Sequence, residues 1–527
     1  SGRRTPRGIF QYIGPLRVTF SGNSRSDAKA PRRGPDDLLK ILQLLMIQDK
    51  SIMSTVSLVW FRQDLRIDDN PALSSAIEKG DPIVPIFVWH DDRRNKWNLG
   101  ESSAWWLRCS LDSLDSELRT KGSRLIVKTG PTLKVLLQLT NQHEVSNLFY
   151  NRRFEPSEVK LETDVNQLFS EKGISVYSFN ANLLLEPKHL LKNDLTPYRV
   201  FSHFLRKASS MNPDLVPLPT NLYWNSPDDW PSSDFIPPDN RRLDYSQLKD
   251  TWTPGTSNTK FLLTEYLSTK ADKYSEHKNR VDQDVTSRLS PHIHFGEISV
   301  RSIVRSCVES DYYRYSADND FTDSVFFKQL MWREFAYNVL INKPETTRNS
   351  FRNNSEHVNW PKDRQGRVEW KTGQTGYPII DAAMRQLQAQ GWINNRLRMI
   401  VASFLIKHLL IPWQDGAMHF WNKLVDADLA NNSLGWQWIA GCGTDPMPFF
   451  RIFNPVRQGQ LFDPAGDYVR SWVPELYNLN DQWIHKPWEA PEGILLEQGI
   501  NLGVTYPHPI VDHRYARSRV LQALKTP

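Results

Sequence analysis

The sequence predicts an N-terminal α/β part with a parallel, Rossmann-like sheet, followed by a larger all-helical part. Three observations carry this. Short apolar runs alternate with helical patterns from Val56 to Phe179, a proline-rich stretch follows, and helical periodicity then dominates to the C-terminus. The runs are Val56–Phe61, Ile83–Trp89, 125–128, 147–150 and 174–179. Between them, residues 103–121 repeat apolar side chains at Trp106, Leu107, Leu111, Leu114 and Leu118, the spacing of one helix face. Such alternation reads as a parallel sheet covered on both sides. Prolines from Pro187 to Pro254 mark residues 186–258 as a connector, with a helix near 195–208. The expected division is therefore 53–185 for the α/β domain and 259–527 for the helical one.

Residues 1–52 stand apart. Seven arginines occur by Arg33, and Asp27 is the only acid before Asp36. The segment reads equally as a targeting signal, organellar or nuclear, and as a disordered leader upstream of Met53.

Composition excludes several classes. Among the 527 residues no apolar stretch approaches the roughly 20 needed to span a bilayer. Cys109, Cys307 and Cys442 are far apart and fit reduced core thiols better than a disulfide framework or a zinc site. There is no His-Glu-x-x-His, and His292 and His294 stand as an isolated pair, so no metal is expected. No Gly-x-Gly-x-x-Gly follows the first strand, which argues against a nicotinamide dinucleotide site. A net charge of +6 is compatible with a nucleic-acid partner, but many enzymes are as basic. Most of the 19 tryptophans lie between Trp224 and Trp488, where their positions matter more than their number.

Three motifs occur in order. The first is Trp60-Phe61-Arg62-Gln63-Asp64-Leu65-Arg66 with Asp69-Asn70-Pro71-Ala72-Leu73, and the second is Thr286-Ser287-Arg288-Leu289-Ser290-Pro291. The third runs from Asp426 through Asn431-Asn432-Ser433-Leu434-Gly435-Trp436-Gln437-Trp438 to Arg451-Ile452-Phe453-Asn454-Pro455. Together they resemble the cryptochrome/photolyase family from Val56 to Leu524. The helical half is most similar to cyclobutane pyrimidine dimer photolyases. Ser103-Ala104-Trp105-Trp106-Leu107 lies nearer the branch beside plant cryptochromes, as in class III photolyases. The resemblance implies FAD in the helical domain and a second, antenna chromophore near the α/β domain, a methenyltetrahydrofolate or a deazaflavin. Glu158 is the expected folate contact.

Carried over residue by residue, Thr286, Ser287, Arg288, Leu289 and Ser290 hold the flavin phosphates and Tyr274 lies on the adenine side. Ser290 followed by Pro291 has an N-cap signature, and a helix start attracts anions. Arg398 and Asp426 match an ion pair against the flavin ring, and Asp428 matches a direct contact. An arginine in the apolar stretch 392–411 needs a partner in any case. Asn432 matches the position facing flavin N5, where its amide can hydrogen-bond but cannot supply a proton. Plant cryptochromes carry aspartate there, so Asn432 favours repair over signalling. Trp436, Trp413 and Trp360 match the family's electron relay by their spacing of 23 and 53 residues.

For the substrate, Trp332 and Trp438 match the walls of a pocket for a flipped-out dimer. Asn395, Arg398 and Met399 share one helix face. Asn395 and Met399 are implied to touch substrate or flavin, and Lys278, Arg396 and Gln458 to lie towards DNA. Photolyases for (6-4) lesions place histidines at the positions of Asn395 and Met399, which argues against that substrate. The tryptophan-Gln-tryptophan pattern argues against a DASH-type cryptochrome. Gln329 departs from the family's usual glutamate at the dimer carbonyls, though its amide can still donate. The expected partner is damaged DNA, acted on by a monomer without an obligatory protein partner. The alternative is a blue-light photoreceptor, against which the chain's short C-terminal tail also counts.

Overall fold

In the computed structural model, the described residues are 55–92, 94–219, 223–227, 230–234, 245–315, 321–352, 360, 363–448 and 451–523. The leader 1–52 lies outside them. Five parallel strands form one sheet: β1 (Val56–Phe61), β2 (Ile83–Trp89), β3 (Ile126–Thr129), β4 (Val145–Asn151) and β5 (Ser175–Phe179). Their order is β3-β2-β1-β4-β5, with Trp60 opposite Ile86 on one side and Tyr150 on the other. One helix follows each of the first four strands: α1 (Pro71–Lys79), α2 (Glu101–Thr120), α3 (Thr132–Gln142) and α4 (Pro156–Glu171). Every residue of β1 is buried, as expected where helices cover both sheet faces. Asn70 caps α1 by accepting from the Leu73 N–H at 3.2 Å, and Pro71 opens the helix.

The first motif is a structural bracket. Arg62 pairs with Glu158 and Glu162 on α4. Asp64 accepts from Asn151, and Arg66 donates to the carbonyls of Gly296 and Ala181. Asp69, at φ 53°, accepts from Ser299 and Arg301. These buried charges are all partnered, which offsets the cost of taking them out of water. Gly296 belongs to the same seam: it sits at φ 69°, and a Cβ there would lie 2.2 Å from the Gln63 carbonyl oxygen. The α/β and helical parts thus belong to one compact unit, Ser54–Pro527.

The proline-rich stretch also makes specific contacts. The Asp234 N–H donates to the Val127 carbonyl, and its carboxylate accepts from the Thr129 N–H and pairs with Lys128. This covers the open edge of β3. The expected helix near 195–208 begins later, at Phe201, and runs to Ser209. The apolar stretch 392–411 contains a helix Asn395–Ser403 that passes into a π-turn, Phe404–His408. No helix among the described residues is long and apolar enough to cross a membrane.

Candidate active site

The site is organised around the helix Leu429–Ala440, against which the helices Val325–Asn342, Asn395–Ser403 and Trp413–Lys423 pack. Asp428 caps it, accepting from the Asn431 N–H at 2.8 Å and from Tyr337 Oη at 2.6 Å. The His294 ring lies 3.8 Å from the same carboxylate, beyond a full hydrogen bond, and its other nitrogen meets Gln63 at 3.2 Å. Burial opposes ionisation of Asp428, but the His294 ring and Arg333 overcome it and hold the carboxyl well below its usual range. One turn on, Asn432 Nδ2 donates to the Ala417 carbonyl at 2.9 Å. Its Oδ1 has no partner among the described residues.

Arg398 Nη2 bonds both oxygens of Asp426, at 2.8 and 3.0 Å, and its Nε donates to the Ile393 carbonyl. The pairing expected of this arginine is present, and Nη1 stays without a protein partner among the described residues.

The segment Thr286–Ser290 differs in one detail from its sequence signature. Ser290 is not the N-cap. Leu289 has near-helical dihedrals (φ −81°, ψ −7°), so the turn begins one residue early and Ser290 is its first helical residue. The Ser290 hydroxyl instead accepts from Trp392 Nε1 at 3.2 Å. Arg288, at φ 52°, lies over the rings of Trp392 and Trp252. A cavity of about 290 Å³ opens here, lined by Thr286, Arg288, Trp392 and Asn394 among others.

Trp332 and Gln329 lie on Val325–Asn342, and Trp438 on the central helix; all three are half-buried. Asn395 is exposed, and its amide points at Met399 Sδ, 3.9 Å away. Several polar groups of this region make no hydrogen bond to a described protein group: Tyr274 Oη, Thr286 Oγ1, Lys278 Nζ and the amides of Gln329 and Gln458. Lys278 also lacks a carboxylate partner: burial, then Arg396 and Lys328, push its ammonium below the usual lysine range. Burial and then Arg451 do the same to Arg396. Clustered cations without acids suit a polyanion.

The tryptophans grade from inside to outside: Trp436 and Trp413 are buried and Trp360 is half-buried. Trp436 rests on Gly416, one turn beyond Trp413, where a Cβ would lie 2.1 Å from the indole Cη2.

Comparison with known proteins agrees with this geometry. Residues 57–221 match the model of DNA photolyase, and residues 326–526 that of the FAD binding domain of DNA photolyase. A deoxyribodipyrimidine photo-lyase of Agrobacterium fabrum is 40% identical over 479 residues, 90% of this chain and 98% of the relative. The chain belongs to the DNA photolyase family. Cryptochrome-1 of Arabidopsis thaliana is 36% identical, over 89% of this chain and 70% of its own length. The crystal structure of a bacterial class III photolyase from Agrobacterium tumefaciens superposes with a TM-score of 0.84 at 39% identity, covering 90% of this chain and 98% of that one.

Family membership makes FAD the cofactor of the helical part, and the donor set fits it. The hydroxyls of Thr286, Ser287 and Ser290, an arginine with a free Nη1 and an amide acceptor at Asn432 are groups that phosphates and a flavin ring can use. Sequence reasoning missed four neighbours of this candidate site: Tyr337, His294, Trp392 and Phe201. Each meets its partner across a long stretch of chain, and only the isolated histidine pair just after the second motif left a visible signal.

Proposed function

We propose that this chain splits cyclobutane pyrimidine dimers in DNA under blue light. The observation that carries the reading is Asn432. One N–H of its amide goes to the Ala417 carbonyl, which turns the amide so that Oδ1, without a partner among the described residues, is an acceptor available to the cofactor. An acceptor suits a reduced flavin ring that carries a proton on N5, and the residue has no proton of its own to give. Bound reduced FAD, once excited by light, would supply the electron that opens the cyclobutane ring and take it back afterwards.

The chain's own residues do the rest. Arg398 and Asp426 orient the ring, and Thr286–Ser290 hold the phosphates with Tyr274 beside the adenine. Trp332 and Trp438 receive the two pyrimidines, and stacking on such walls contributes roughly 1–3 kcal/mol per base. Gln329 donates its free amide to the dimer carbonyls, while Asn395 and Met399 close the pocket without offering a proton. Lys278, Arg396 and Gln458 meet the DNA strand. Trp360, Trp413 and Trp436 pass electrons inward to load the cofactor.

For the antenna, we take a folate with Glu158 as its contact. Burial alone would raise its carboxyl, but Arg153 and Arg62 bring it to about 2, so it remains an ionised acceptor for a pterin N–H. Release of the chromophore by denaturation, and its absorbance, would test this.

The deciding assay gives photoreduced protein matched oligonucleotides carrying a cyclobutane dimer or a (6-4) lesion. Repair of the first alone is expected. Repair of (6-4) lesions alone overturns the substrate. Repair of neither, with flavin bound and photoreducible, favours the photoreceptor reading instead.

A further inference from the structure

We propose that Phe201, clamped by Asp445, is a positioning residue that holds Trp332 in register with Trp438. This rests on the reading of those two tryptophans as the walls of the dimer pocket.

The Phe201 and Trp332 rings stack with centroids 3.7 Å apart and planes 9° apart, the closest ring pair among the described residues. Phe335 meets both edge-on, at 5.8 Å from each. One face of Trp332 is therefore permanently covered, and a base can use only the other. A base arriving there extends a column of two rings already in place. An indole on a helix has alternative rotamers, and holding it in one removes a cost that binding would otherwise meet.

Phe201 is itself held from outside its helix. It opens Phe201–Ser209, which has no side-chain cap of its own. Asp445 Oδ2 accepts from the Phe201 N–H at 3.0 Å, satisfying an end group of that helix with a carboxylate, the sign its N-terminus favours. Next to it, Thr444 Oγ1 donates to the Arg199 carbonyl at 3.0 Å. Thr444 and Asp445 lie in the turn just beyond Gly441, the cap of the helix that carries Trp438, and the Met447 N–H returns to the Trp438 carbonyl at 3.1 Å. A short bracket thus runs from Trp332 through Phe201 and Asp445 to Trp438. It joins helices about a hundred residues apart in sequence, through a segment that looks like a plain connector.

The competing role is a plug, with Phe201 occupying the place of a base. The two roles predict opposite signs.

The test uses full-length photoreduced holoprotein and measures binding to a duplex with one thymine dimer and to its undamaged twin. Phe201→Ala should weaken dimer binding about 2- to 12-fold, the worth of one aromatic pair. Binding to undamaged DNA, flavin stoichiometry and the rate of photoreduction should stay at wild-type values. Phe201→Tyr should restore the preference for the dimer. Asp445→Ala should resemble Phe201→Ala, and the double variant should be little worse than either single one, because both act on one bracket. Equal or tighter dimer binding by Phe201→Ala overturns the proposal, as does equal weakening towards both duplexes or full additivity with Asp445→Ala. If Phe201→Ala loses flavin, Phe201→Leu decides: a flavin-replete leucine variant that binds the dimer normally overturns the proposal, and one that binds it weakly supports it. A wild-type protein with no preference for the dimer removes the functional reading itself, and this inference with it.

Discussion

Gly416→Ala isolates the contact between Trp436 and the helix that begins at Trp413. The backbone there is ordinary helix, so the substitution adds no backbone strain and acts through the space its Cβ takes and through helix propensity. The new Cβ would lie 2.1 and 2.3 Å from Trp436 Cη2 and Cζ3, and 2.7 Å from Leu405 Cδ2. Ordinary contact begins near 3.4 Å, so the indole must move by about 1 Å or more. Overpacking of this kind costs about 1–3 kcal/mol. Alanine recovers about 1 kcal/mol of helix propensity, which leaves a net loss of about 0–2 kcal/mol. Gly435→Ala is the matched control: it lies on the facing helix with nothing within 4 Å of its Cβ, and should be neutral or slightly stabilising. The assays are a urea melt and the rate at which blue light reduces oxidised flavin with a thiol donor. Photoreduction should slow in Gly416→Ala and not in Gly435→Ala. A wild-type photoreduction rate in Gly416→Ala would refute the reasoning that this contact sets the place of Trp436 in the electron path.

Trp436→Phe should abolish photoreduction of oxidised flavin yet leave dimer repair by chemically reduced protein largely intact, because the relay only loads the electron. Binding to damaged duplex should weaken with salt, and Arg396→Ala should lower the slope of log K against log salt by about one, for damaged and undamaged DNA alike; a salt titration checks this. Gln329→Glu should preserve or improve cyclobutane repair, measured as dimers removed per unit of light. Stability should also depend on Glu334, whose carboxyl burial pushes up to about 7 while Arg333 and the Leu184 and Leu185 N–H groups oppose the rise. A raised carboxyl stabilises the fold fully below its unfolded value of 4.5, and that contribution is lost as pH climbs through 7. Thermal melts should show the wild type losing up to roughly 3 kcal/mol across this window, at about 1.4 kcal/mol per pKa unit, and Glu334→Gln losing less.

The sheet was legible because parallel strands covered on both sides read as unbroken apolar runs. Val56–Phe61 and Ile83–Trp89 stand where the runs place them, and the other three strands differ by one or two residues at their ends. Such shifts are expected, because a strand end depends on its neighbour's hydrogen bonds more than on its own side chains. Ser290 illustrates the same limit at a helix end. The serine–proline signature finds the turn, but the Leu289 dihedrals and the Trp392 indole decide which group the hydroxyl meets.

The active site divides along a similar line. Arg398 and Asp426 could be paired from sequence, since a charge in an apolar stretch demands a partner. Asn432 could be located, but not the orientation of its amide, which depends on a carbonyl fifteen residues earlier in the chain. The first motif shows the converse. Its residues stand out in the sequence, yet Arg62, Arg66 and Asp69 spend their hydrogen bonds on α4, Gly296, Ala181, Ser299 and Arg301. A conspicuous charged motif can therefore mark a seam between parts of a fold as readily as a site of chemistry. Conversely, a connector with no motif can supply the ring that stacks on a pocket wall, as Phe201 does on Trp332. Contacts between distant segments separate the two cases, and composition and periodicity do not encode them.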